Sequence, residues 1–203
     1  MEPVLTYKHK KKNQILEIVY DGFDMSNPRR NGDYHLGTIL YDWNDYLIGD
    51  IHITSQSQFD EYMKVKHFKL PIHVYEHGNI TISLGNEYPY NDEWDSGIGG
   101  YIYVTYEDIK KHFEVKRVTK KLLKIVKQCF EGEIKEQDYW LRGDCYGFQL
   151  YNVKNCDLEH EHKEIEESCY GFIDTSDKML GYALEYIGGQ ESDWIEKERL
   201  WIG

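Results

Sequence analysis

The residue types best suited to acid–base chemistry lie in two neighbouring stretches of the sequence. His73 and His77 fall in and just after an apolar, β-branched run, and Asp95 and Ser96 lie in the glycine-rich word Trp94–Gly100. A carboxylate that orients an imidazole is the minimum for a general base, and a serine hydroxyl beside it can act as a nucleophile. The sequence therefore predicts one candidate catalytic or ligand-binding cluster formed by these four side chains.

The glycines of this word precede a predicted strand, Gly100–Thr105. A phosphate-binding loop would follow a strand and open a helix, so the word does not predict a dinucleotide site or a P-loop. An Asx-type turn, in which Asp95 or Ser96 bonds the backbone, is the structural alternative. Because no GxSxG motif surrounds Ser96, a protein that is not an enzyme is the favoured interpretation.

Zinc-ligand residue types occur at Cys156, His160, His162 and Cys169. Their spacing matches no CxxC or HxxxH pair, so we predict neither a metal nor a cofactor. The first residues turn basic, at Lys8, Lys10, Lys11 and Lys12, without an apolar h-region, and no apolar run approaches about 18 residues. We therefore expect a cytoplasmic protein whose cysteines are thiols.

Acidic residues concentrate toward the end of the chain. Residues 129–203 carry 7 Lys+Arg against 18 Asp+Glu, whereas 1–128 carry 17 against 18, so the C-terminal part holds nearly all of the net charge of −12. An acidic surface attracts basic proteins and repels nucleic acid. Six carboxylates are the predicted partner-binding residues: Asp157, Glu159, Glu161, Glu164, Glu166 and Glu167. A solubilising surface loop is the alternative.

Periodicity and turn signals predict a mixed fold. Strands are predicted at Ile15–Tyr20, Leu36–Tyr41, Tyr46–Ile53, Pro71–Glu76, Ile80–Leu84 and Gly100–Thr105. The second and third form an expected hairpin around Asp42–Asp45, and the next two form another around His77–Asn79. The fold class is α+β: a mainly antiparallel sheet built of hairpins, with three to four helices packed against it, in a single domain over residues 1–203.

Capping signals and apolar stripes locate the helices. Ser57, Thr105 and Thr175 are expected near helix starts, and Val118–Cys129 carries an apolar stripe at helical spacing. The outer arc of that helix is basic, and this face either is solvated or contacts the acidic end of the chain: Arg117, Lys120, Lys121, Lys124 and Lys127.

A four-residue echo links two later segments. Cys145–Phe148 recurs as Cys169–Phe172, which predicts a hairpin over residues 145–173 with the acidic stretch inserted in it. The tail 190–203 carries Trp194 and Trp201 and is expected to dock on the domain. Self-association through these two tryptophans is the alternative.

Four stretches resemble a family of uncharacterised proteins encoded by phages and related mobile elements of Gram-positive bacteria: Asn31–Asp50, Leu70–Ser83, Trp94–Val104 and Cys169–Phe172. The family has Gln-Val where this chain has Ile98-Gly99, and the stretch Leu158–Glu167 is similar to an insertion in a shorter hairpin. The resemblance implies a mobile-element origin and no catalytic residue. Because small accessory proteins of that origin often neutralise host defence, it also implies an inhibitor of the anti-CRISPR or anti-restriction type.

Three functional hypotheses follow. The first is an acidic accessory protein that binds a basic surface of a host or defence protein, without direct contact to nucleic acid or membrane. The second is a small hydrolase-like enzyme or ligand-binding module built on His73, His77, Asp95 and Ser96. The third is a structural or self-assembling phage component.

Overall fold

The structure is a computed structural model that describes residues 3–22, 27–30, 35–43, 46–85, 94–155 and 161–200. The strands within these ranges are β1 (Leu5–His9), β2 (Gln14–Tyr20), β3 (Thr38–Tyr41), β4 (Ile51–His52), β5 (His67–Glu76), β6 (Ile80–Leu84), β7 (Ser96–Thr105), β8 (Cys145–Asn155), β9 (Glu161–Ile173) and β10 (Trp194–Arg199). The α-helices are α1 (Gln56–Tyr62), α2 (Tyr106–His112), α3 (Lys120–Arg142) and α4 (Met179–Ile187). The predicted α+β class is confirmed.

The chain divides into two compact units, each with its own sheet and core. Residues 1–25 and 143–203 form the terminal unit, and residues 26–142 form the inserted unit. The inserted unit lies in the sequence between β2 and β8, which are adjacent antiparallel strands of the terminal unit. The sequence indicated one sheet, whereas the strands are shared between two five-stranded sheets.

The sheet of the terminal unit has the order β10-β1-β2-β8-β9, with antiparallel neighbours throughout. Leu16 and Ile18 of β2 lie opposite Leu150 and Phe148 of β8, and all four are buried. Alternate side chains of a strand share a face, so these residues form one apolar surface. Helix α4 packs against that surface through its own apolar stripe, of which Met179, Ala183 and Leu184 are buried.

The sheet of the inserted unit has the order β4-β3-β7-β5-β6. Ile72 and Ile102 of its central strands form a core with Val126 and Phe130 of α3. Helix α3 also contacts the edge strand β6. In this contact Asp138 Oδ1 accepts a hydrogen bond from the Ile82 amide at 2.8 Å. A carboxylate thereby occupies a backbone donor that an edge strand would otherwise present to solvent.

Helix α1 packs on aromatic side chains of β7. Its Phe59 ring lies 5.3 Å from that of Tyr101, and its Tyr62 ring lies 6.1 Å from that of Tyr103. The residue that caps α1 is Ser55, whose side chain accepts from Gln58 N, so the cap predicted at Ser57 was two residues late.

The predicted hairpin between Leu36–Tyr41 and Tyr46–Ile53 is wrong, because β3 and β4 are parallel. The Asp50 carboxylate, just before β4, is tied to β3, since its Oδ2 accepts from Ile39 N at 2.6 Å. Asp50 also binds the buried guanidinium of Arg29, with 2.6 Å between Nη2 and Oδ2. These contacts link Asp50 both to β3 and to Arg29, so they stabilise the residue that precedes β4.

Candidate functional site

A turn and a strand start bring His77 and Asp95 together. His77 begins the β5–β6 turn, in which Gly78 has φ of 76°, and Asp95 precedes β7. The Glu76 amide donates to the Asp95 carbonyl at 2.8 Å, which aligns the two segments. His77 Nδ1 lies 2.7 Å from Asp95 Oδ2. This contact orients the imidazole and leaves its Nε2 available for a ligand or a proton.

The other two predicted residues occupy different surroundings. His73 is buried in β5, at 4% exposed, and its Nε2 lies 2.9 Å from the Gly85 carbonyl oxygen. A carbonyl can only accept, so this nitrogen carries a proton. Ser96 is the first residue of β7 and lies opposite Tyr75. The structure thus brings His77 and Asp95 into contact, with Ser96 adjacent in sequence, and places His73 in the core.

The His77–Asp95 pair is open to solvent. The His77 side chain is 73% exposed and that of Asp95 is 37% exposed. The adjacent Trp94 is 95% exposed. An active site that excludes water strengthens every charge it contains, and this pair lacks that advantage. The arrangement suits surface binding better than demanding chemistry.

The glycines of the word Trp94–Gly100 allow strands to approach closely. A Cβ added at Gly100 would lie 2.2 Å from the Leu40 carbonyl oxygen, and one at Gly99 would lie 2.2 Å from Val74 Cγ2. Both glycines are inside β7 rather than in a loop before it. Their role is therefore to pack β7 between its neighbouring strands, which gives the glycine pattern a structural explanation.

A cavity of about 480 Å³ lies beside β7 in the inserted unit. Its polar lining includes Asp42, Ser55 and Gln56, and its aromatic lining includes Phe59 and Tyr101. Neither His77 nor Asp95 lines it. A small ligand held there would be bound separately from the histidine–carboxylate pair.

The acidic residues lie on β9, an edge strand of the terminal sheet. Glu164 is opposite Asn152 and Glu167 is opposite Leu150, so both project to the same face. A register shift between Leu150 and Tyr151 leaves Glu166 as the extra residue of a bulge. The carboxylates of β9 therefore do not alternate regularly along the strand.

The described carboxylates of β9 differ in their partners. Glu164 lies 2.5 Å from Lys154 Nζ, and the lysine hydrogen bond and charge hold the pKa of this carboxyl below its usual value. Glu166 accepts from Gln14 Nε2 at 2.6 Å. Glu167 is exposed. Of the six predicted residues, Asp157 and Glu159 lie outside the described residues, as does the side chain of Glu161.

The terminal unit has a surplus of carboxylates. It carries 9 Lys+Arg against 18 Asp+Glu. Several of its cations are already occupied: Lys154 by Glu164, Lys163 by Glu17, Lys178 by Asp174 and Arg199 by Glu196 and Asp177. Other exposed carboxylates form no ion pair among the residues that the structure describes: Glu166, Glu167, Glu185, Glu191 and Glu198.

The tail forms strand β10, which pairs with β1. Trp194 is 8% exposed and lies edge-on to His9, with ring centroids 5.0 Å apart. It belongs to the core of the terminal unit and is not a surface contact for a second copy. Trp201 lies outside the described residues. Cys156 and His160, considered above as zinc ligands, lie outside them as well.

Sequence reasoning missed a basic groove in the inserted unit. Four of its lining residues are cations: Lys66, Lys110, Lys116 and Arg117. The available signal was local charge, because residues 110–127 hold eight Lys+Arg and a single acidic residue, Glu114. In the sequence, the amphipathic pattern of the predicted helix indicated that its basic face is solvated or contacts the acidic end of the chain.

Comparison with protein-family models, with curated proteins and with solved structures finds no match to this chain. Among the described helices, none is both long enough and apolar enough to cross a membrane.

Proposed function

We propose that this is a binding protein whose acidic terminal unit engages a basic surface of a partner protein. The observation that carries the proposal is the exposed carboxylate surplus of that unit. On the edge strand β9 it includes Glu166 and Glu167, which lie near the Lys154-paired Glu164. The bulge at Glu166 places three carboxylates within four residues of this strand, so lysines and arginines of a partner can meet them together. Complementary charge of this kind raises association rates and selects among partners.

The resemblance to mobile-element proteins suggests which class of host protein the partner belongs to. An accessory protein of that origin acts in the host cytoplasm, where restriction and CRISPR effectors hold nucleic acid on basic surfaces. The acidic unit would compete for such a surface. Same-face carboxylates on one strand are about 6.6 Å apart, whereas the phosphates of one DNA strand are about 3.4 Å apart along the helix axis. Because the carboxylates are the sparser set, we propose that they contact the partner's basic surface directly and do not imitate a DNA duplex.

The test compares two triple charge reversals with equal net change. The site variant is E164K/E166K/E167K on β9. The control is E185K/E191K/E198K, which alters exposed carboxylates elsewhere on the terminal unit. Binding of a fluorescent poly-L-lysine peptide should weaken at least about tenfold in the site variant and at most about twofold in the control. Equal weakening in both would show that only net charge matters, and the proposal would fail.

The biological arm uses a Gram-positive host that carries a restriction or CRISPR system. Expression of the wild-type protein should raise the plating efficiency of a targeted phage, and the β9 variant should lose this effect while the control keeps it. Circular dichroism and thermal melting establish that both variants fold. If the wild-type protein left the plating efficiency unchanged both in a host with a restriction system and in a host with a CRISPR system, the anti-defence role would be rejected.

The 2.7 Å contact between His77 and Asp95 favours a second candidate, a small hydrolase-like or ligand-binding module. In it His77 acts as general base, Asp95 orients the imidazole and Ser96 is the nucleophile. Hydrolysis of an activated ester should then fall in H77Q, D95N and S96A but not in H112Q, which changes another exposed histidine. Equal rates in all four variants would exclude this activity.

A further inference from the structure

We propose that the inserted unit binds the phosphate backbone of a nucleic acid in a basic groove at the start of α3. The groove has a volume of about 510 Å³. Its cations are Lys66, Lys110, Lys116 and Arg117, and Glu107 is the single acidic residue among its described lining residues. Lysine and arginine side chains bind phosphate oxygens through charge-assisted hydrogen bonds, and the planar arginine fork binds them at two points.

The groove cations are available for a ligand. Lys116 and Arg117 are exposed, and Lys110 is half-buried. None of these three forms an ion pair within the part of the chain that the structure describes. Lys66 is positioned by Tyr106, since its Nζ lies 4.7 Å from the ring centroid. Apart from Glu107, the described lining of the groove therefore offers no carboxylate to balance these cations.

The start of α3 adds an independent indication. Its first turn contains no acidic residue, and Lys120 and Lys121 lie at the positive end of the helix dipole. The helix dipole disfavours cations at this end. The neighbouring helix α2 has the arrangement that the helix dipole favours, with Glu107 and Asp108 in its first turn and basic residues in its last turn. A bound anion would offset the cost that α3 carries.

The extent of the positive charge indicates a polyanion rather than one phosphate. Beyond the groove, exposed lysines continue along α3 at Lys120, Lys121 and Lys124. At a rise of about 1.5 Å per residue, these add about 6 Å of helix to the groove, which accommodates successive phosphates. Val65, Val118 and Tyr106 supply apolar lining that sugars and bases can contact.

The negative charge of the whole chain does not forbid this binding. The segment 110–127 has the opposite sign from the chain as a whole. At about 0.1 M salt, exposed charges are largely screened beyond about 10 Å, so a ligand in the groove responds mainly to nearby lysines and arginines. The inference goes beyond the proposed function, because it concerns the other unit and a ligand of opposite charge. It departs from the sequence-based expectation that the protein makes no direct contact with nucleic acid.

The test measures binding of a fluorescent single-stranded 20-mer DNA to the full chain as salt is varied. The site variant is K110A/K116A/R117A. The matched control is K8A/K11A/K12A, which removes the same charge from exposed lysines of the terminal unit. The site variant should weaken binding at least about tenfold at low salt, and the slope of log affinity against log salt should fall in magnitude by about 2. The control should change affinity by at most about twofold.

Several results would overturn the inference. One is that the folded wild-type chain does not bind DNA at low salt. Another is that the site and control variants lose DNA affinity equally. A third is that poly-L-glutamate binds more tightly than DNA, which would indicate an acidic protein ligand. Competition by inorganic phosphate as effective, per phosphate, as unlabelled DNA would indicate a single-anion site instead. Melting temperatures check that each variant is folded, and K110Q/K116Q/R117Q provides a second variant if the alanine form unfolds.

Discussion

Arg29 and Asp50 form a two-point contact inside the inserted unit, with Nε to Oδ1 at 3.1 Å and Nη2 to Oδ2 at 2.6 Å. The remaining guanidinium nitrogen, Nη1, lies 2.9 Å from Glu133 Oε2 on α3. One buried cation thus joins the loop before β4 to the long helix. Its hydrogen bonds to these two carboxylates outweigh the cost of burial and raise the pKa of Arg29 above its usual value.

Replacement of Arg29 by Met should destabilise the protein by about 3–5 kcal/mol, because two carboxylates then lose the cation that compensates them. Arg29→Lys should recover only part of the loss, since an ammonium cannot bind in the forked geometry. Urea unfolding measures both effects. The adjacent Arg30 is exposed, so R30M is the control and should change stability by less than about 0.5 kcal/mol. Similar losses in R29M and R30M would contradict the assignment.

The local parts of this fold were predictable from the sequence. The hairpin of β5 and β6 followed from two apolar runs around His77–Asn79, and the Thr105 cap of α2 followed from Asp108 three residues later. The echo Cys145–Phe148 and Cys169–Phe172 correctly indicated neighbouring strands, since Phe148 lies opposite Cys169. In each case the structure depends on residues close in sequence or on a repeated pattern.

The long-range parts were not predictable in the same way. The parallel pairing of β3 with β4 is accompanied by the contact of Arg29 with Asp50, two residues that no periodicity connects. A weak signal did exist on α3, because Glu133 and Gln137 fall on the same stripe as Phe130 and Ile134. Polar residues on an apolar stripe require buried partners, and these partners lie about a hundred residues away in the chain.

The basic groove shows why the candidate site was only partly foreseen. Lys66 joins the cations of residues 110–117 only because the end of β7 and the start of β5 are paired, with His67 opposite Thr105. The contact of His77 with Asp95 likewise depends on the pairing of β5 with β7, in which Tyr75 lies opposite Ser96. The sequence grouped the two residues in one candidate cluster but did not predict that pairing. Charge clusters assembled from separate strands need the sheet register, and the register was not available from pattern alone.

Gly147 is required because the ring of Tyr170 lies across it. A Cβ at this position would be 2.2 Å from Tyr170 Cδ1. We expect G147A to destabilise the terminal unit by about 1–3 kcal/mol through overpacking. In the double variant G147A/Y170A the clash is gone, so the combined loss should be smaller than the sum of the single losses. Thermal unfolding of the four proteins forms a double-mutant cycle.

Gly171, in the second copy of the echo, provides the contrast. Its φ of 93° is strained for any residue with a Cβ, whatever the neighbouring space. G171A should therefore be destabilising in the Y170A background as much as in the wild type. For Gly147, by contrast, the stability losses of G147A and Y170A should not add. If the double variant lost as much stability as the two single variants together, the packing explanation for Gly147 would be wrong.

The Asp174 carboxylate makes stability depend on pH. Burial alone would raise its pKa, but hydrogen bonds from Lys178, the Thr175 amide and Tyr182 outweigh burial, so the pKa lies below the usual value. A pKa lowered in the folded state gives stability that is present above the unfolded pKa of about 3.9 and is lost as pH falls through the folded value. Asp174→Asn should therefore cost about 1–3 kcal/mol at pH 7.

The difference in melting temperature between wild type and D174N should shrink as the pH is lowered below about 4, where the wild-type carboxyl becomes protonated. E185Q, at an exposed position of α4, serves as the control and should show no such convergence. A difference that stays constant from pH 7 to pH 3 would mean that the Asp174 charge contributes nothing.

Cys145 should be an unreactive thiol at neutral pH. Burial, together with the nearby charges of Asp21 and Asp144, raises its pKa to about 11. At pH 8 only about one molecule in a thousand then carries the thiolate, which is the form that alkylates. Labelling with iodoacetamide should be at least about 100-fold slower at Cys145 in the folded protein than in urea, as measured by peptide mass spectrometry, and should still accelerate between pH 9 and pH 10. Alkylation at the same rate in both states would show that this thiol is neither buried nor held protonated.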